Sequence, residues 1–285
     1  MTNVLPMKLW VWRHIELRVP SDWELLQFSK TQDQGRCAFS DRHGFRLELS
    51  WRAVSGPPDL ERMVSDYMAA LEKDGMKECA RRSHADWQGG EGIADGQRMT
   101  RYGGFLAAES CVVEVVFLWP ESRMAGLEAA VLDSIRACPP TSSGCRLWAA
   151  FGMRMVTPAE VILETASILP AHAELRFAGK RAGNRLVFSR RGMVKEWLRT
   201  TPGEWLARCV QDEGAGEGML EQREVGGHRI AVWRGRARRP GLLRSAVPLI
   251  AEAWTCPVDG RLYSWLASGP PSEVGERWLT CCATL

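Results

Sequence analysis

Two stretches decide how the chain is read: Leu9–Pro20, LWVWRHIELRVP, and Leu147–Pro158, LWAAFGMRMVTP. Both begin Leu-Trp, both end in proline, and no gap separates the two marks. From Trp10 to Trp148 and from Pro20 to Pro158 the offset is the same, 138 residues. Self-similarity at a fixed spacing points to a repeated unit. Three further pairs follow in the same order. Arg36–Ser40 (RCAFS) matches Arg185–Ser189 (RLVFS), Trp87–Gly90 matches Glu224–Gly227, and Leu118–Ser122 runs like Ser268–Ser272. Between the halves, Cys138–Gly144 (CPPTSSG) has the composition of a linker. The expected organisation is a first repeat over residues 1–138, a Pro/Ser linker at 139–146 and a second repeat over 147–285.

Local patterns fill in one unit. Ile15, Leu17 and Val19 alternate with Glu16 and Arg18, and Phe45, Leu47, Leu49 and Trp51 alternate with Arg46, Glu48 and Ser50. A period of two marks half-buried strands. Asp41-Arg42-His43-Gly44 has Asp first and Gly fourth, which suits a type I turn and makes a hairpin with Arg36–Ser40. Leu60, Met63, Val64, Tyr67 and Leu71 form one apolar helical stripe, with Asp59 as its N-cap. Cys111–Trp119 is apolar on both faces and reads as a central strand. A helix from Ser122 carries Leu127, Val131 and Ile135, and a matching one in the second half carries Val274, Trp278 and Cys282. Strands, helix, strands, helix predict the α+β class: two similar domains, each an antiparallel β-sheet with packed helices.

Val19-Pro20-Ser21-Asp22-Trp23, then Gly35–Phe39 entering a hairpin, then Gly89-Gly90 opening a second set of strands, are similar to the Mog1/PsbP-like fold, here in tandem. That group holds binding and assembly proteins, among them a Ran-binding protein, a photosystem subunit and type VI secretion effector chaperones. The resemblance implies a non-catalytic binding module and assigns no functional residue.

Composition narrows the class. The chain has 285 residues, is 45% hydrophobic and carries a formal charge of +3. It is long enough to bury a core without a metal or disulfide. Met1–Lys8 does not read as a signal peptide, and Val112–Trp119, interrupted by Glu114, is far too short to span a membrane. A cytoplasmic protein is therefore expected. The nine cysteines are odd in number and lack any C-x-x-C. Neither Cys281-Cys282 nor Cys138 to Cys145 has a zinc-ligand spacing. They read as reduced, buried side chains, so no cofactor and no metal is expected. The 13 tryptophans read chiefly as core, with a recognition groove as the sharper alternative.

No catalytic constellation stands out. Cys37, Asp41 and His43 surround a turn. Gly214–Gly218 follows Asp212-Glu213, whose charge would repel phosphate, and reads as a flexible loop. His172 stands alone. Charge is the remaining signal. Residues 1–145 hold 17 Lys and Arg against 20 Asp and Glu, a net −3; residues 146–285 hold 20 against 14, a net +6. Arg234, Arg236, Arg238, Arg239 and Arg244 crowd one stretch, WRGRARRPGLLR. A solvated face, an acidic protein partner and a nucleic acid all fit such a cluster. The modest pI of about 8.4 and the lack of interleaved aromatics beyond Trp233 weigh against nucleic acid. The sequence is thus read as a non-catalytic binding or adaptor protein for an acidic protein partner. A chaperone-like protein for a type VI secretion effector, and an enzyme with a site between the two domains, are the alternatives.

Overall fold

The computed structural model describes residues 6–29, 31, 33–180, 184–238, 246–269 and 278–283, and of Arg238 only the backbone. The chain divides into two compact units, Met1–Pro139 and Pro140–Leu285.

In the first unit, β1 (Met7–Trp12) and β2 (Ile15–Pro20) form a hairpin that β10 (Arg136–Ala137) extends along β2. The main sheet contains β3 (Glu24–Phe28), β4 (Gln34–Ser40), β5 (Phe45–Ala53), β6 (Lys77–His84), β7 (Trp87–Ala94), β8 (Gln97–Leu106) and β9 (Cys111–Trp119). Its order is β3-β4-β5-β9-β8-β7-β6, antiparallel throughout. The expected central strand is central: β9 lies fourth of seven, with Val113, Val115 and Phe117 fully buried. Trp10 of β1 meets Phe39 edge to face, and Trp12 meets Phe28, so the hairpin packs over the β3–β4 side of the sheet. Burying side chains of this size contributes roughly 1.5–3 kcal/mol each.

Among the described residues, two α-helices complete this unit. Asp59 caps α1 (Leu60–Lys73) by accepting the Arg62 N–H. Val64 and Met68 of α1 are buried. Gly90 of β7 leaves room for the Met68 sulfur, which any Cβ there would strike. Tyr67 of α1 lies under the Arg101 guanidinium, whereas Thr100 and Tyr102 bond to Glu128 of α2 (Ala125–Ser134). Neighbouring residues of a strand point to opposite faces, so the two helices cover opposite faces of the sheet.

The second unit repeats this strand order. β11 (Cys145–Ala150) and β12 (Met153–Pro158) form the hairpin, and β20 (Leu279–Thr280) extends it along β12. The main sheet contains β13 (Ile162–Leu169), β14 (His172–Ala178), β15 (Arg185–Arg191), β16 (Ala215–Val225), β17 (His228–Arg238), β18 (Ala246–Thr255) and β19 (Leu262–Ser268). Its order is β13-β14-β15-β19-β18-β17-β16. Short α3 (Val194–Trp197) precedes α4 (Pro202–Asp212), which packs on β16, β17 and β18. Thr201 and Glu204 make a capping box at the start of α4, with proline at its first position. The opening hairpins correspond down to their turns, where Arg13 and Phe151 adopt φ of +62° and +53°.

The α+β expectation is overturned. Among the described residues 56% are in strands and 16% in helices, so the protein is mostly antiparallel sheet with few helices. The period-2 patterns are the rule and the helical stripes the exception. The expected closing helix of the second half fails at its end: Leu279 and Thr280 pair with Met155 and Arg154 as a strand. Val274 lies outside the described residues. Gly214–Gly218 is no loop either. Ala215 starts β16, with a bulge before Gly218, and the Trp233 ring lies where a Gly218 side chain would be. Two of the matches fall out of step: β15, with Arg185–Ser189, corresponds by sheet order to β5 and not to β4, and Glu224 lies at the end of β16 whereas Trp87 starts β7, whose counterpart is β17. No described helix is long and apolar enough to cross a membrane.

Candidate functional site

The arginine cluster divides on inspection. Along β17, Trp233 and Ala237 are buried in the core under α4, and the alternating residues Arg234 and Arg236 are exposed. The Arg236 guanidinium donates to the Ala246 carbonyl at 2.9 Å. Arg238 ends the strand. Arg239 and Arg244 lie outside the described residues. Two of the five arginines are thus placed on one sheet face by the strand's alternation.

Arg234 forms part of a cleft of about 670 Å³ within the second unit. Among the described lining residues, Leu249, Ile250, Trp265 and Trp278 supply apolar wall, and Lys180, Arg185 and Arg234 supply cations against one acid, Glu160. Arg185 is held by Glu213 at 2.7 Å, while Lys180 and Arg234 are exposed. Trp265 is fixed from behind. Its indole N–H donates to the buried Glu252 carboxylate at 3.1 Å, and its ring stacks on Trp278 with centroids 5.7 Å apart. Ten of the 13 tryptophans are buried, so the core reading holds for most of them. Trp265 and Trp278 are the two that also line this cleft.

A second constellation was missed in the sequence. His228 starts β17, Cys256 directly follows β18, and Cys281 and Cys282 directly follow β20. Their ligand atoms all lie within 4.8 Å of one another. His228 Nε2 is 3.5 Å from each of the three sulfurs, and Cys281 Sγ is 3.8 Å from Cys282 Sγ. The other ring nitrogen, Nδ1, is 3.0 Å from the Gly226 carbonyl and donates to it, which leaves Nε2 as the lone-pair atom facing the sulfurs. The Trp254 indole N–H points at Cys281 Sγ from 3.3 Å. Burial pushes the Cys256 and Cys281 thiols up from their ordinary range. None of the nine cysteines is in a disulfide. Ligand spacing along the chain could not reveal this set, because it spans 54 residues and is assembled by strand ends. The adjacent pair Cys281-Cys282 was the available signal.

The first unit has a buried polar cluster of a different kind. Thr100 and Tyr102 donate to Glu128 at 2.6 and 2.7 Å, Arg123 grips the same carboxylate, and the Trp119 indole donates to Thr100. Beside it, a hydrogen bond from Arg82 holds the Glu91 carboxyl below the usual range. Both acids are paired with arginine and act as acceptors that fasten α2 and β7 to the sheet. Cys37 is buried in β4, where burial pushes its thiol up, and Asp41 accepts the His43 and Gly44 N–H groups as a turn residue. His172 opens β14, 3.8 Å from Glu174. No family model matches the chain, and no curated protein matches it either.

Proposed function

We propose that the chain is a non-catalytic binding protein whose second unit takes an acidic segment of a protein partner into the cleft beside Arg234. The carrying observation is the make-up of that cleft. Exposed Lys180 and Arg234 flank walls built from Leu249, Ile250, Trp265 and Trp278, with Glu160 the only acid among the described lining residues. An apolar floor supplies contact area and cations at the rim select charge. Among the described lining residues there is no histidine, cysteine or aspartate, which favours a binding reading over a catalytic one. Arginine suits bidentate pairing with carboxylates.

Affinity capture from native lysate tests this reading when run beside the Lys180→Glu/Arg234→Glu variant. An acidic protein should be retained by the parent chain, more strongly at low salt, and lost from the variant. Both substitutions are at exposed side chains, so stability should shift by no more than about 0.5 kcal/mol each. Equal capture by parent and variant, or capture of nucleic acid in place of protein, contradicts the proposal.

A further inference from the structure

We infer that His228, Cys256, Cys281 and Cys282 form a closed four-ligand site for a zinc ion. The inference is independent of what occupies the cleft. Zinc binds thiolate sulfur at about 2.3 Å and imidazole nitrogen at about 2.0–2.1 Å, in a tetrahedron. Those bond lengths require sulfur–sulfur edges of about 3.8 Å and nitrogen–sulfur edges of about 3.5 Å. The protein shows 3.5 Å from His228 Nε2 to each sulfur and 3.8 Å between Cys281 and Cys282. Four of the six edges thus match a zinc tetrahedron, and the remaining two, from Cys256 Sγ to the other sulfurs, lie within 4.8 Å and need at most a small adjustment of the side chains.

Thiol chemistry alone does not account for this arrangement. Nε2 of a neutral imidazole has one lone pair and accepts one S–H. Three sulfurs nevertheless converge on it at equal distance. A disulfide would bring one pair of sulfurs to about 2.05 Å and push the third away from equivalence. One cation at the centre satisfies all four groups together. The ligand softness also chooses the ion, since thiolate and imidazole favour zinc over magnesium or calcium.

The surroundings fit a metal centre. The Nδ1–H bond to Gly226 fixes the ring's tautomer and aim, the usual outer partner of a ligating histidine. Trp254 directs its N–H at Cys281 Sγ, where thiolate charge would concentrate. Binding displaces the three thiol protons to solvent, which leaves three thiolates and a neutral imidazole around Zn²⁺. With four protein ligands no coordination position is open to a substrate, so the site is structural. Its work is visible in the topology. β20 has only two residues, and the metal would clamp the segment after it to the start of β17 and the end of β18.

Cobalt titration of the metal-stripped full chain tests the site. Thiolate-to-cobalt charge-transfer absorption and strong tetrahedral bands in the visible should grow to saturation at one equivalent and vanish when zinc is added. Cys282→Ser should lose or weaken the spectrum. Cys209→Ser, in α4 and outside the cluster, should keep it. A folded parent chain that gives no such spectrum overturns the inference, as does equal loss in both variants. So does a chain found without metal and with Cys281 and Cys282 oxidised. Should Cys282→Ser fail to fold, the parent titration decides alone.

Discussion

Trp87 in the first unit and His228 in the second occupy the same place in the frame. Each is the first residue of its strand, β7 or β17, and each pairs across a two-residue turn, His84 with Trp87 and Val225 with His228. Extending the ladders by the same register sets Gly104 beside Trp87 and Cys256 beside His228. By the hairpin registers Cys138, after β10, corresponds to Cys282, after β20, and Ala137 to Cys281. The first unit fills the position with a ring lying over a glycine: a Cβ on Gly104 would be 2.6 Å from the Trp87 ring. The second fills it with an imidazole and three sulfurs. One strand order thus supports an apolar plug in one copy and a ligand set in the other. The chemistry resides at strand ends, which the shared fold leaves free to differ.

The largest expected effect breaks the plug. Trp87 is 8% exposed, and Trp87→Ala should cost roughly 3–5 kcal/mol by removing a buried ring from beside a glycine that cannot fill the space. Thermal unfolding measures the loss. The cobalt spectrum of the second unit should remain as in the parent. A change there would mean that the two positions are not independent.

How much of this was legible in the sequence depends on how local the signal is. The Leu9–Pro20 and Leu147–Pro158 match falls on equivalent hairpins, because a two-stranded turn unit is contained in twelve residues. Asp59 as a cap and Cys111–Trp119 as a central strand were equally local. β16 was not legible. It is an edge strand exposed along nearly its whole length, so no alternation marked it, and its glycines suggested a loop. One of them, Gly218, makes room for the ring of Trp233, which comes from the next strand. The metal ligands lie further from local reading still. His228 and Cys256 are brought together by sheet register, and neither carries a spacing that a sequence pattern would reveal. Of the arginines, alternation along β17 explains why Arg234 and Arg236 share one face, but the cleft that Arg234 lines also draws on Lys180, beyond the end of β14, and on Trp265 of β19.

The smallest expected effect concerns acid. Glu91 and Val232 correspond by the same register, and only the first unit has a charge there. The Arg82 hydrogen bond holds the Glu91 carboxyl below its unfolded value. Its contribution is therefore present above the ordinary glutamate range of about 4.3 and is lost as pH falls through the depressed folded value. Glu91→Val should remove this part of the pH dependence and flatten the acid limb of melting temperature against pH. An unchanged acid limb would show that the pair contributes nothing measurable.

The contrast between the units is tested most directly by native mass spectrometry of the intact chain. One zinc ion per chain is expected, retained in Cys138→Ser and absent from Cys281→Ser. A chain that carries no zinc after folding in its presence, or that loses zinc equally in both variants, would contradict the assignment of the metal to the second unit.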